Sequence, residues 1–247
     1  MASVTKEGYK FRQDSCIPCY HTDRNKVLRP ESFMDMAQEI AYWAASELGF
    51  GYETLHIHHM AWVLSRMHLH FEIPIKWKDA VMLYTWHKGA SGLFYIRDFE
   101  LFTEDGKSAV QGTSSWVVID DRTRRFIRPE DLSHFLETGP VDDAIRENAP
   151  KLMPPKDAAF EPAGSHTVAY SDLDMNLHTN NARYGALAMD ALPQEVTEQP
   201  VRDFYINFNK ETVPGETIEL VRLQQNNAWW VEGLSDGKVC FTVKIEF

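Results

Sequence analysis

The apolar pattern of this chain passes through the same order of elements twice, and that repetition limits the fold more than any bulk property does. Phe33, Met36, Ala37, Ile40, Trp43, Ala44 and Leu48 recur at helical spacing over about 30–48, and Ala41 and Ala45 widen their face. Pro30 suits a first helical position and Gly49 a stop. Strand-like segments follow at roughly 59–73, 80–88, 93–103 and 107–120, the last three joined by the hairpin turns KGASG and EDGK. A shorter helical pattern spans about 181–192, and strands return near 202–209, 216–225, 228–235 and 238–247. The last alternates cleanly from Val239 to Phe247.

So broad an apolar face on the first helix predicts a helix enclosed by other structure. The expected class is α+β: two tandem copies of a long helix wrapped by a curved antiparallel sheet. Local matches keep the same order in both copies. Asp23-Arg24-Asn25 and Asp174-Met175-Asn176 each precede a helix, and Asp105-Gly106-Lys107 and Asp236-Gly237-Lys238 each turn a final hairpin. Between the copies, 121–162 is charged and holds half of the chain's 12 prolines. It reads as a connector with a short helix near 141–148. The expected units are 1–125, a connector over 126–160, and 161–247.

Apolar residues at 44% exclude a disordered chain, and no run approaches the length of a membrane-spanning helix. A net charge of −11 opposes nonspecific nucleic-acid binding. Cys16, Cys19 and Cys240 make no disulfide framework, and the one C-x-x-C has no second ligand pair. The N-terminus lacks a secretory pattern, so the cytoplasm is the expected compartment. HIHH at 56–59, read as a loop, lacks metal-ligand spacing, and neither metal nor cofactor is expected.

The informative part is where the copies differ. Copy one reads D-R-N-K-V where copy two reads D-M-N-L-H, so only the second holds a histidine, His178. Aligning Trp77-Lys78-Asp79 with Pro214-Gly215-Glu216 sets Pro74 opposite Glu211. Asp174, Asn176 and His178 alternate, so an extended chain puts them on one side, the outer two about 13 Å apart. The loop must curve to join them. Histidine titrates near neutrality, a carboxylate accepts a proton from water, and a helix start offers free N–H groups to an oxyanion. These parts suffice for hydrolysis of an acyl ester or thioester. Asp and Asn also serve as ordinary loop caps.

The stretch SDLDMNLHTNNARY strongly resembles the loop-helix signature of the plant-type acyl-acyl-carrier-protein (acyl-ACP) thioesterases, which carry two hotdog domains in one chain. AWVLSRMHLHFEIPIKWKDAVMLYTW and GTSSWVVIDDRTRRFIRPEDL resemble that family's first half, so the likeness runs from about Tyr9 to Phe247. It implies hydrolysis of acyl-ACP, with a catalytic loop of Asp174, Asn176 and His178. INFNKET aligns where the family has a carboxylate followed by a cysteine, which implies Glu211 as the carboxylate and leaves Thr212 in the cysteine's place. That departure favours attack by water, with Asn176 and the N–H of Asn180 or Asn181 holding the carbonyl. The base remains open among His178, Glu211 and Asp174.

The resemblance also implies that the first hotdog houses the acyl chain, with Met34, Met36, Ile40, Trp43, Ala44, Trp62 and Leu64 as candidate walls. The implied partner is an acyl carrier protein bearing an acyl-phosphopantetheine. Because carrier proteins are acidic, Arg122, Arg124, Arg125 and Arg128 form the expected docking patch. Neither a membrane nor nucleic acid is an expected partner, and the internal pair of hotdogs is compatible with a monomer or a homodimer. An acyl-coenzyme A thioesterase, a dehydratase on the same fold, and a non-enzymatic acyl-ligand sensor are the competing readings.

Overall fold

The computed structural model describes residues 4–129, 141–155 and 158–247. Its backbone is built around a single 12-stranded sheet. In chain order the elements are β1 (Val4–Glu7), β2 (Lys10–Cys16), α1 (Pro30–Glu47), α2 (Tyr52–Ile57), β3 (Met60–Phe71), β4 (Ala80–Ser91), β5 (Phe94–Thr103), β6 (Ser108–Asp120) and β7 (Phe126–Ile127). The second half holds β8 (Glu161–Thr167), α3 (Asn181–Asp190), β9 (Asp203–Phe208), β10 (Thr217–Gln225), β11 (Ala228–Ser235) and β12 (Lys238–Glu246).

The strand order is β1-β2-β4-β5-β6-β3-β9-β12-β11-β10-β8, with β7 added to β6. Leaving out β1, it reads as a palindrome about the β3–β9 junction. Each half runs edge strand, three-strand meander, then the strand that follows its helix. The halves are therefore joined by backbone hydrogen bonds, antiparallel from Arg66↔Asn207 to His70↔Asp203. Matching Phe71 with Phe208 makes His68 and Tyr205 equivalent, and these two stand opposite each other with rings stacked at 4.0 Å. The internal twofold axis passes through that stack.

Helix α1 starts with Pro30 at its first position and ends before Gly49, whose φ of +80° suits a residue without Cβ. Phe33, Ala37, Ile40 and Ala44 are fully buried against the inner face of the sheet. Helices α1 and α3 pack together across the internal axis. Gly185 allows their approach, since a Cβ there would lie 3.1 Å from the Met34 sulfur.

The predicted helix over 141–148 does not form. Its polar groups bind the outer face of the first half: Trp86 Nε1 donates to Asp142 O at 2.8 Å, Lys88 Nζ to Ile145 O at 2.8 Å, and Ala144 N to Asp98 at 2.8 Å. A segment whose backbone is satisfied by the sheet has no need of helical bonds. The rest of the 126–160 connector lies in part outside the described residues. His56 and Ile57 of HIHH close the short helix α2 rather than sitting in a loop.

The junction also carries charge. Asp203 is buried and takes hydrogen bonds from His68 Nε2 at 2.8 Å and His70 Nδ1 at 3.0 Å. Burial alone would raise the Asp203 pKa, but the hydrogen bonds from His68, His70 and Arg202 hold it far below the usual carboxylate range. For His70 burial alone would lower the pKa, and its bonds to Asp203 and Glu72 outweigh that and raise it. A raised histidine stabilises the fold fully below its unfolded value, and the contribution fades as pH climbs through the raised native value. The urea midpoint of the protein should therefore fall more between about pH 6 and pH 8.5 than that of His70→Gln. Parallel pH slopes for the two proteins would contradict this linkage.

Candidate active site

The two D-x-N loops fold alike, down to their hydrogen bonds. Asp174 Oδ1 accepts from Asn176 N at 2.8 Å and His178 N at 3.3 Å, while Asp174 N donates to His178 O at 2.9 Å. Asp23 Oδ1 accepts from Asn25 N at 2.8 Å and Val27 N at 2.9 Å, while Asp23 N donates to Val27 O at 2.9 Å. Leu177 and Lys26 take the same left-handed backbone, φ +63° and +64°. Asp174 thus builds the loop, because Asp23 does the same work with Val27 in the place of His178.

Each loop is pinned at matching points. Leu28 N donates to Ile75 O at 2.8 Å, and Thr179 N donates to Thr212 O at 3.0 Å. Lys78 N and Gly215 N likewise reach Ile17 O and Val168 O, both at 2.9 Å. These pairs set Ile75 against Thr212 and hence Pro74 against Glu211, the alignment expected from the sequence. The first half therefore has Val27 and Pro74 where the second has His178 and Glu211. Its version of the site opens onto a cavity of about 650 Å³ lined by Asp23, Val27, Pro74, Leu192, Val201 and Phe247, among others.

In the second half, alternation after β9 sends neighbouring side chains opposite ways. Thr212 points inward and is fully buried. Its hydroxyl lies 2.7 Å from Thr179 Oγ1 and 3.0 Å from the Tyr184 hydroxyl, which also accepts from Thr212 N at 3.0 Å. Burial pushes the Tyr184 phenol up, so it remains a protonated donor in this ring of hydroxyls. Glu211 points the other way, to the surface of the loop. Its Oε2 lies 3.5 Å from His178 Nδ1, and its Oε1 accepts from Arg124 Nη2, a residue of the first half. Histidine and carboxylate, 33 residues apart in sequence, meet with both side chains still partly open to solvent.

Asn176 is exposed, with its amide 3.4 Å from Asp174 Oδ2. Asn180 caps α3, its side chain accepting from Ala182 N at 2.8 Å. Its own N–H already donates to Asp172 O at 2.8 Å, so it is not free for a carbonyl. The Asn181 N–H makes no hydrogen bond among the described residues and remains the helix-start donor. Nothing in the sequence marks the Thr179–Thr212–Tyr184 ring, because its members come from two separate loops and a helix.

The predicted acyl-chain walls divide. Ile40, Ala44 and Leu64 are buried in the first half. Trp62 is partly buried there, donating from Nε1 to Phe50 O at 3.0 Å and standing edge-on to Tyr95 at 5.0 Å. Met34 is buried beside Gly185 at the helix contact, and Met36 is half-buried against the core. Trp43 is 42% exposed and donates from Nε1 to Glu39 at 2.8 Å, at the edge of the buried face of α1. A broad apolar face on a helix does not tell which residue lies at its edge. Arg122, Arg125 and Arg128 are exposed, whereas Arg124 is held by Glu211.

A helix-in-sheet unit repeated twice in one sheet, with His178 and Glu211 brought together in the second copy where the first has Val27 and Pro74, defines a double-hotdog architecture. Residues 8–133 match the acyl-ACP thioesterase N-terminal domain and 158–240 its C-terminal domain, and the chain belongs to the acyl-ACP thioesterase family. It is 27% identical over 238 residues to oleoyl-acyl carrier protein thioesterase 1 of Arabidopsis thaliana, covering 89% of this chain and 65% of the relative. A palmitoyl-acyl carrier protein thioesterase of Cuphea hookeriana is also 27% identical, over 85% of this chain and 54% of the relative. The chain thus spans between half and two thirds of the length of these curated relatives.

An acyl-ACP thioesterase crystal structure from Bacteroides thetaiotaomicron superposes with a TM-score of 0.80 at 25% identity, over 97% of this chain and 98% of the other. The 12:0-ACP thioesterase of Umbellularia californica gives a TM-score of 0.82 at 21% identity, over 98% of both chains, a likeness of fold. No helix among the described residues is long and apolar enough to cross a membrane.

The hydroxyl ring yields a direct test. Thr212→Val keeps the shape but leaves Thr179 and Tyr184 without their shared partner, at a cost of about 1–3 kcal/mol for unsatisfied buried groups. Thr212→Ser should cost clearly less. Equal urea stability of the valine and serine variants would show that the ring contributes nothing.

Proposed function

We propose that this chain hydrolyses acyl-ACP thioesters to free fatty acids by direct attack of water. The observation that carries the proposal is the 3.5 Å approach of His178 Nδ1 to Glu211 Oε2, in the half whose counterpart has Val27 and Pro74. Family membership supplies the thioester. The open side of the pair supplies room for water and the reacting carbonyl.

In this scheme Glu211 and His178 position the water between them and take its proton as it attacks the carbonyl carbon. The Asn176 amide and the Asn181 N–H hold the developing oxyanion. Collapse of the tetrahedral intermediate expels the phosphopantetheine thiolate, which leaves readily because thiols ionise near pH ~8.5. Asp174 sets the loop backbone. Thr212 supports this route over a covalent one, because its hydroxyl is buried with Thr179 and Tyr184 on the side away from His178. No step calls for a cofactor.

The acyl chain is proposed to lie in the first half, against Ile40, Ala44, Trp62 and Leu64. Arg122, Arg125 and Arg128 are proposed to face the acidic carrier, whose encounter the net charge of −11 would otherwise oppose. The cytoplasm is the proposed compartment, in keeping with three free cysteines.

His178→Ala and Glu211→Ala should each lower kcat by about 10²–10⁴ on acyl-ACP without loss of the fold. A panel of acyl-ACP and acyl-coenzyme A substrates, with mass readout of the released acids, checks both the reaction and the carrier. Near-normal hydrolysis by both variants would discard the pair as the acid–base machinery.

Charge reversal at Arg122, Arg125 and Arg128 together should raise KM for the carrier-bound substrate while sparing a small thioester. Equal losses on the two substrates would argue against docking there.

A further inference from the structure

The turn after β6 is built to a degree that a solvated basic loop does not need. The Asp120 carboxylate accepts from Arg122 N at 3.1 Å, Thr123 N at 2.7 Å and Thr123 Oγ1 at 2.9 Å. Arg124 N donates to Asp120 O at 2.8 Å, and Asp120 N to Arg125 O at 2.9 Å. Asp121 N ties the turn to His59 O at 2.9 Å, and Phe126–Ile127 then returns to pair with β6. Within this frame Arg124 adopts φ +59°, a conformation that L side chains seldom take.

The side chain so presented crosses from the first half to the second and donates to Glu211 Oε1, leaving Oε2 toward His178. Both partners are about half exposed, and an ion pair at such exposure adds little to stability. Its effect is geometric. One carboxylate oxygen is fixed by a cation on a rigid turn, so the other faces the imidazole.

We propose that Arg124 is a positioning residue of the hydrolytic site, and not a member of the carrier-docking patch. The inference rests on the reading of Glu211 as an acid–base group. It gives the first half a share in the chemistry: the catalytic half is incomplete without a guanidinium from its neighbour. Lysine would restore the charge at this position but not a donor held in a planar guanidinium, so the single contact to Oε1 would be less directed.

The test is a double-mutant cycle on the full chain, assayed with carrier-bound substrate and with a small acyl thioester lacking any carrier. Arg124→Met should lower kcat about 10- to 100-fold on both substrates and leave KM for the carrier-bound substrate within about twofold, as loss of orientation predicts. Arg124→Lys should recover part of that kcat. In the Glu211→Gln background Arg124→Met should have almost no further effect, because the group it orients is gone. A raised KM for the carrier-bound substrate with normal kcat on the small thioester would overturn the proposal and return Arg124 to docking. So would the same fold-loss from Arg124→Met in both backgrounds. Full activity of Glu211→Gln would instead overturn the acid–base reading itself. Should Arg124→Met fail to fold, the comparison of Arg124→Lys with Arg124→Lys/Glu211→Gln carries the same two outcomes.

Discussion

The β3–β9 pairing is the constraint on which the rest of this molecule depends. It makes one sheet of two, sets the internal twofold axis at the stacked rings of His68 and Tyr205, and fixes how far the end of one half lies from the loops of the other. Asp203 reinforces it with two histidines from the facing strand. A slip of one residue would turn every side chain on β9 to the other face and carry Glu211 away from His178. The site therefore inherits its geometry from a backbone ladder rather than from its own contacts.

Symmetry about that junction sets His178 and Glu211 of the second half opposite Val27 and Pro74 of the first. Both halves build the same aspartate-anchored loop, and both pin it to the strand that follows. The difference lies in two side chains, His178 for Val27 and Glu211 for Pro74. The loop is thus a structural device that both halves keep, and the second adds a histidine and a neighbouring carboxylate to it. The first half shows that an aspartate holds this loop backbone with valine in the histidine's place, which the second loop's sequence alone did not. Across the junction, Arg124 of the first half reaches Glu211 of the second.

Much of the architecture was legible because periodicity survives averaging. The limits of α1, the meanders β4–β5–β6 and β10–β11–β12, and the repeat itself follow from alternation, helical spacing and turn residues. The equivalence of Pro74 and Glu211 was legible too, from two short turns. The helix expected over 141–148 failed because its polar groups are used by Asp98, Trp86 and Lys88, residues remote in sequence. The partial exposure of Trp43 was not legible for a similar reason: spacing marks a face, and the edge of that face is decided by what packs on it.

The sequence by itself determined the two-copy plan, the family, and the one half with a histidine and a carboxylate to spare. These are properties of local pattern and residue identity, which need no knowledge of distance. Only the tertiary structure decided that Thr212 faces a buried ring of hydroxyls, that the Asn180 N–H is already taken, and that Arg124 grips Glu211 instead of standing free. Each of those depends on atoms brought together from separate segments. Their direction is set by strand register and turn conformation, and no single stretch of chain encodes it.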